Sequence, residues 1–292
     1  MKFMRRLLIL TSILALPITV SAQGLDASKI DQALGRSGQK LGDVYRVGFP
    51  RTDLHVSVNG VAVKPGLALG SWAAFSGSDE TAMVMGDLVL LESELNPVME
   101  KLHSSGFEIS AIHNHLIEET PQVIYLHYMG HGPASQLATS LRAALAVSKT
   151  PLDKPTAAAS DTAAPAWVKA VNDTVGRTGA FKGGVLSFGV PRAGVISMNG
   201  MTLTPAQGVA ESINFQEATD GAVATTGDFV LTAEEVNPVI SALEQHHILV
   251  TALHSHMLTE EPRLFFLHFW GLGSAQEVGA GIKAALDKVH TM

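Results

Sequence analysis

At 292 residues the chain has room for two domains. It carries 20 Lys and Arg against 27 Asp and Glu, a formal charge of −7, which excludes the clustered basic surface that nucleic-acid binding requires. A hydrophobic content of 46% with 16% charge excludes disorder, and the absence of Cys excludes disulfides, thiolate metal sites, Cys nucleophiles and Cys-linked lipid anchors.

Residues 1–22 read as an export signal. A basic MKFMRR start precedes the apolar run LLILTSILALPITV, and Val20-Ser21-Ala22 places cleavage after Ala22. The run is broken by Thr11, Ser12 and Pro17 and is too short to span ~30 Å of hydrocarbon. The expectation is a periplasmic or secreted protein, beginning at Gln23, with no membrane anchor after processing.

Residues 23–149 and 167–292 are one unit written twice. Leu34-Gly35-Arg36 recurs as Val175-Gly176-Arg177, Phe49-Pro50-Arg51 as Val190-Pro191-Arg192, and Asn59-Gly60 as Asn199-Gly200. Gly86-Asp87 recurs as Gly227-Asp228 and Asn96-Pro97-Val98 as Asn237-Pro238-Val239. Residues 150–166 between the copies are rich in Pro, Ala and Thr and read as a linker. In the first copy, Asp26 caps a predicted helix over 28–34, whose counterpart covers 166–175. Strands are predicted over 44–49, 54–58 (closed by the Asn59-Gly60 turn), 67–75 and 81–91. A helix over 93–103, with Pro97 in its first turn, leads to strands over 108–116 and 122–129 and a closing helix over 133–147. The predicted fold class is α+β: two tandem homologous domains, each a largely antiparallel or mixed sheet with two to three helices.

The histidines carry the chemistry. His113 and His115, two apart on a predicted strand, leave one face, and His127 lies on the next strand. Three imidazoles then converge as in a three-His zinc site with an open position for water, and His254, His256 and His268 repeat the set. The ligand type suits Zn²⁺ or another divalent transition metal, one site per copy. Glu119 and Glu260 occupy equivalent places in the loop joining the two His strands, either as fourth ligand or as the general base on metal-bound water. Asp87 and Asp228 are either site residues or turn residues bonding nearby backbone N–H groups. Glu94 and Glu235 suit a helix N-terminus. The ten Met are not clustered along the chain.

Val-Asn-Gly-Val with Lys-Pro-Gly-Leu-Ala-Leu-Gly-Ser-Trp (58–72), Gly-Asp-Phe-Val-Leu-Thr (227–232), Val-Asn-Pro-Val (236–239), Ala-Leu-His-Ser-His-Met-Leu (252–258) and Glu-Pro-Arg-Leu-Phe-Phe-Leu-His-Phe-Trp (261–270) resemble the LppY/LpqO family. The likeness covers nearly all of residues 25–289. That family is named after lipoproteins, from which this Cys-free chain departs, and it brings no assigned activity. The His-x-His spacing with a third His on the next strand is also similar to the zinc sites of α-acetolactate decarboxylase-like proteins, an analogy of spacing alone. Two functions are expected from these residues. One is a metal-dependent hydrolase acting on a small molecule; the other is a non-catalytic protein that binds a metal or a small ligand.

Overall fold

The computed structural model describes residues 24–153 and 163–292, so the predicted export signal over residues 1–22 and the central part of the predicted linker lie outside the described residues. In chain order the first repeat runs α1 (Ala27–Leu34), β1 (Gln39–Leu41), β2 (Val44–Pro50), β3 (Ser57–Val58), β4 (Val61–Ala62), α2 (Pro65–Ala68), β5 (Gly70–Gly77), β6 (Ala82–Leu91), α3 (Glu92–Ser104), β7 (Glu108–His113), β8 (Glu119–Thr120), β9 (Val123–Gly132) and α4 (Ala134–Leu145). The second runs α5 (Ala166–Val175), β10 (Ala180–Lys182), β11 (Val185–Pro191), β12 (Ile196–Met198), β13 (Met201–Leu203), β14 (Ala210–Glu217), β15 (Val223–Leu231), α6 (Ala233–Gln245), β16 (Leu249–His254), β17 (Glu260–Glu261), β18 (Phe265–Gly273) and α7 (Ala275–Leu286).

Local signals account for much of this. Asp26 accepts from the Ser28 backbone N–H at 3.0 Å and starts α1, while Gly35 ends it at φ +72°, a conformation that disfavours a side chain. Asn59 and Gly60 both take positive φ, as the tight turn between β3 and β4 requires. Two expectations need correction. Leu67 opens no strand, because Pro65 starts the short helix α2 first. Pro97 lies inside α3 beyond its first turn, because the helix begins at Glu92.

Each repeat forms a six-stranded antiparallel sheet, in the orders β1-β2-β5-β6-β9-β7 and β10-β11-β14-β15-β18-β16. Three-stranded sheets β4-β3-β8 and β13-β12-β17 accompany them. The strand orders correspond throughout, so the fold is α+β, two copies of one domain.

Strand periodicity then divides each sheet into two faces. On β6, Val84, Leu88 and Leu90 pack with Leu126 and Tyr128 of β9 beneath α1, α3 and α4. The alternate residues Met83, Met85, Asp87 and Val89 point the other way, as do Tyr125, His127 and Met129. The second repeat divides likewise, with Phe229, Leu231, Leu267 and Phe269 under α5, α6 and α7. The two outward faces meet each other. One apolar cluster joins Val89, Val123 and Tyr125 to Ala224 and Trp270 of the second repeat. Another joins Met83, Met85 and Met129 to Val230, Met257 and Phe266. Between these apolar layers lies a polar one, because Asp87 pairs in register with His127, and Asp228 with His268.

The Pro-Arg repeat has a structural use. Arg51 is fully buried and its guanidinium holds Glu94 at 2.8 Å and the Val89 carbonyl at 2.7 Å. Glu94 also accepts from the Leu91 backbone N–H at 2.9 Å and so caps α3, the expected helix-terminus role. Arg192 and Glu235 repeat the pair at 2.8 Å. Glu94→Ala leaves a buried guanidinium with Asp53 as its one carboxylate within 4.0 Å among the described residues, and is expected to cost about 3 kcal/mol of stability, read as a lowered denaturant midpoint with unchanged slope.

Candidate functional site

Each predicted set of three histidines converges, and the two sets also meet each other. The repeats meet so that His113 stacks on His254 with ring centroids 3.6 Å apart, His115 on His268 at 3.7 Å and His127 on His256 at 3.7 Å. Within the first set, His113 lies 5.1 Å from His115 and 5.0 Å from His127. Ligand atoms of His113, His254, His256 and His268 lie within 4.8 Å of one another, as do those of His113, His115 and His127, and those of His115, His268 and Asp228. His113 is common to two of the groups. The two predicted sets lie against each other, because each sheet buries its His face against the other. His115 also departs from its predicted place: β7 ends at His113, and His115 sits on the bend that follows.

The Nε2 atoms of all six rings are shut off from solvent and have no hydrogen-bond partner. Their Nδ1 atoms are partly spoken for. Those of His113 and His254 lie 3.3 Å from the Asn114 and Ser255 carbonyls, and that of His268 lies 3.1 Å from the Gly227 carbonyl. A carbonyl only accepts, so these rings carry the proton on Nδ1 and turn the Nε2 lone pair inward, the tautomer that a metal ligand needs. Burial, reinforced by the neighbouring imidazoles, pushes His113, His115, His127 and His256 far below the usual histidine range. The same causes push His254 down to about 4. These rings are neutral, and able to ligate, at neutral pH.

Asp87 and Asp228 are not turn residues; they lie within β6 and β15 and enter the centre. Asp87 Oδ1 is 3.7 Å from His127 Nε2 and its Oδ2 is 3.9 Å from His115 Nε2. Asp228 Oδ1 approaches His268 Nδ1 to 2.7 Å, off the line of a hydrogen bond. Burial and the facing Asp228 raise Asp87 well above the carboxylate range, against the pull of Arg46. The glycines preceding them are required by close packing: a Cβ on Gly86 would meet the Trp72 carbonyl oxygen at 2.1 Å, and one on Gly227 that of Ser212 at 1.9 Å. The Gly-Asp pair in both copies was the signal in the sequence.

Glu119 and Glu260, the predicted base or fourth ligand, lie elsewhere. They belong to β8 and β17, short strands of the small sheets rather than a loop, and join none of the clustered ligand groups among the described residues. Glu119 accepts from the Val123 backbone N–H at 3.4 Å. Glu260 accepts from that of Leu264 at 3.0 Å and from Arg263 at 3.1 Å. Their carboxylates thus hold the turn that delivers β9 and β18. Glu119→Gln is accordingly expected to leave the metal load of the purified protein unchanged, as measured by elemental analysis.

Two clefts reach the centre. One of about 340 Å³ is lined by Arg46, Trp72, Asp87, His115, Tyr125 and Asp228. The other, about 1200 Å³ and open, is reached by Arg46, Trp72, Asp87, His127, Asp228 and His256. Neither Arg46 nor Trp72 was legible as a site residue, since their role depends on the opposite repeat. On the far side, Met85, Met129, Met198 and Met257 line a narrow void with His127 and His256. Scattered in sequence, these Met gather across the seam between the repeats.

No curated protein matches the chain. Among solved structures, the trimeric bacterial microcompartment shell protein PduB is similar over 87% of this chain and 89% of its own, at 12% identity and a TM-score of 0.21, which is too low to bear on the fold. The family model described as Domain of Unknown Function (DUF1259) matches twice, over residues 28–147 and 169–288. Both matches fall on the repeats that build the histidine centre, and the chain belongs to this family, with two tandem copies of its domain.

Proposed function

We propose that the two repeats jointly bind a divalent transition metal, zinc by ligand type, and that the centre serves a metal-dependent hydrolase of the periplasm or cell exterior. The observation that carries this reading is the six buried Nε2 atoms without partners. Burying an imidazole nitrogen unpaired is costly, and metal bound within the groups of four and three clustered ligand atoms would accept these lone pairs. The flanking clefts favour an enzyme over a closed structural site, since they run up to the rings of His115, His127 and His256. Bound metal would supply Lewis acidity and a more acidic water. Asp87 and Asp228, rather than Glu119 and Glu260, are the carboxylates beside the histidines and would handle a proton there. The motif likeness to LppY/LpqO proteins and the export signal read from residues 1–22 support the extracytoplasmic setting.

The non-catalytic reading draws on one observation of its own. Met85, Met129, Met198 and Met257 beside His127 and His256 offer thioether with imidazole, a donor set that suits a soft ion such as Cu(I) for carriage. Elemental analysis of tag-free protein tests the centre: near-stoichiometric transition metal is expected, and none after zinc loading would overturn it. Hydrolysis of 4-nitrophenyl acetate and 4-nitrophenyl phosphate by the loaded protein, lost in Asp87→Asn with its metal retained, separates the hydrolase from the carrier.

A further inference from the structure

We propose that the cleft beside the histidine centre binds one small monoanionic ligand, a carboxylate, anchored by Arg46; the proposal rests on the metal-centre reading. Strand alternation sets the stage. Tyr45, Val47 and Phe49 of β2 enter the core beneath the helices, while Arg46, Gly48 and Pro50 face the cleft. The guanidinium is held in place before any ligand arrives. One nitrogen donates to the Ala206 carbonyl at 2.8 Å, and the guanidinium carbon sits 4.0 Å from the centroid of the Trp72 ring. No carboxylate among the described residues comes within 4.0 Å of it. Arginine has five donors, and the Ala206 carbonyl uses one nitrogen. A half-buried arginine with no salt bridge within 4.0 Å, on the wall of a cleft that runs up to the histidines, is a recognition element for an anion.

The charge and size of the ligand follow from the surroundings. Asp87 and Asp228 already line the cleft, so the smallest anionic group, a carboxylate, fits beside Arg46 better than a bulkier phosphate. The fork of the guanidinium also suits the planar carboxylate. A cleft of about 340 Å³ admits a small molecule. There is room beside the arginine, since nothing lies within 4 Å of a Cβ built on Gly48 or on Gly189.

The ligand is single because the two repeats differ just here. By strand register Arg46 corresponds to Ser187 and Trp72 to Ser212. The histidines and aspartates are duplicated, but the anion anchor is not. The pseudo-symmetric centre therefore has one polarised side, which fixes how a ligand lies across it.

Calorimetric titration of the metal-loaded full chain with butanoate, butanamide and inorganic phosphate tests this, alongside elemental analysis. Butanoate is expected to bind about tenfold or more tightly than butanamide or phosphate. Arg46→Gln should lower butanoate affinity about ten- to hundredfold with the metal load unchanged, and Arg46→Lys should retain part of it. Equal affinity in Arg46→Gln, binding of butanamide as tight as butanoate, or tighter binding of phosphate overturns the assignment. Loss of metal from Arg46→Gln also overturns it, making Arg46 a strut between the repeats. A wild-type chain that takes up no metal yet binds butanoate through Arg46 overturns the metal centre and leaves the anion anchor standing.

Discussion

Replacing His113 by Ala is expected to empty the whole centre, not half of it. The His113 ligand atom belongs both to the group with His254, His256 and His268 and to the group with His115 and His127. Its ring also stacks directly on His254 at 3.6 Å. Removing it opens a gap at the seam and withdraws a donor from both sets at once. Two independent sites, one per repeat, would instead leave half of the metal in place. Metal per chain, measured by elemental analysis, distinguishes the two: a residue near zero supports the shared centre and a residue near one half refutes it. Thermal stability is expected to fall in parallel, because metal bound only by the folded state stabilises it by about 4 kcal/mol at a free concentration a thousandfold above Kd. Chelator treatment of the wild-type protein should reproduce most of that loss without creating a cavity.

The metal-free protein is expected to be acid-labile, losing stability as pH falls below ~6.5. Burial holds His113, His115, His127, His254 and His256 below their ordinary pKa, His254 at about 4. Between those values and ~6.5 the unfolded chain carries protons that the folded chain refuses. The unfolded state then binds more protons, so stability rises with pH across this window and drops as pH descends through it. Each ring contributes up to about 1.4 kcal/mol per pH unit, and five acting together exhaust a typical stability near pH 5. Denaturant midpoints of the chelated protein between pH 7.5 and 5 check this. A flat profile would mean that the rings already titrate normally and are not sealed in the seam. Bound metal, by holding the nitrogens deprotonated, should carry stability further into acid, where proton and metal compete for the same lone pairs.

The polar layer also explains how the seam tolerates so many imidazoles. Val89 and Tyr125 with Trp270 close one side of it, and Met85 and Met129 with Phe266 close the other. His115 is stacked on Tyr125 at 3.7 Å and His256 on Phe266 at 3.6 Å, so aromatic walls fix the rings that border the apolar layers. The contact between repeats is further held by backbone-directed bonds: Gln216 donates to the Ala62 carbonyl at 2.6 Å, Asn214 to the Leu67 carbonyl at 3.0 Å and Thr251 to that of His115 at 2.5 Å. Side chains tied to backbone across the junction leave the six rings little freedom to separate.

The sequence by itself determined the duplication, the α+β class and the identity of the clustered imidazoles. These are local or periodic properties: a motif kept at a constant offset, an Asn-Gly turn, an Asp cap, and hydrophobic alternation that assigns each strand two faces. It also marked Asp87 and Asp228 through the repeated Gly-Asp pair, although their use stayed open. Tertiary structure alone decided that the two histidine faces oppose each other, with His113 common to two groups of ligand atoms. Alternation shows that a second face of the sheet must be covered, but not by what, since residues 141 positions apart in sequence cover it as readily as a foreign partner. For the same reason Glu119 and Glu260 looked catalytic. They share a loop with the histidines in sequence, yet the short strands β8 and β17 direct their carboxylates to the backbone of the following turn. Arg46 and Trp72 stood hidden in plain strand patterns, because an unpaired charge becomes visible only when the opposite repeat closes the cleft around it.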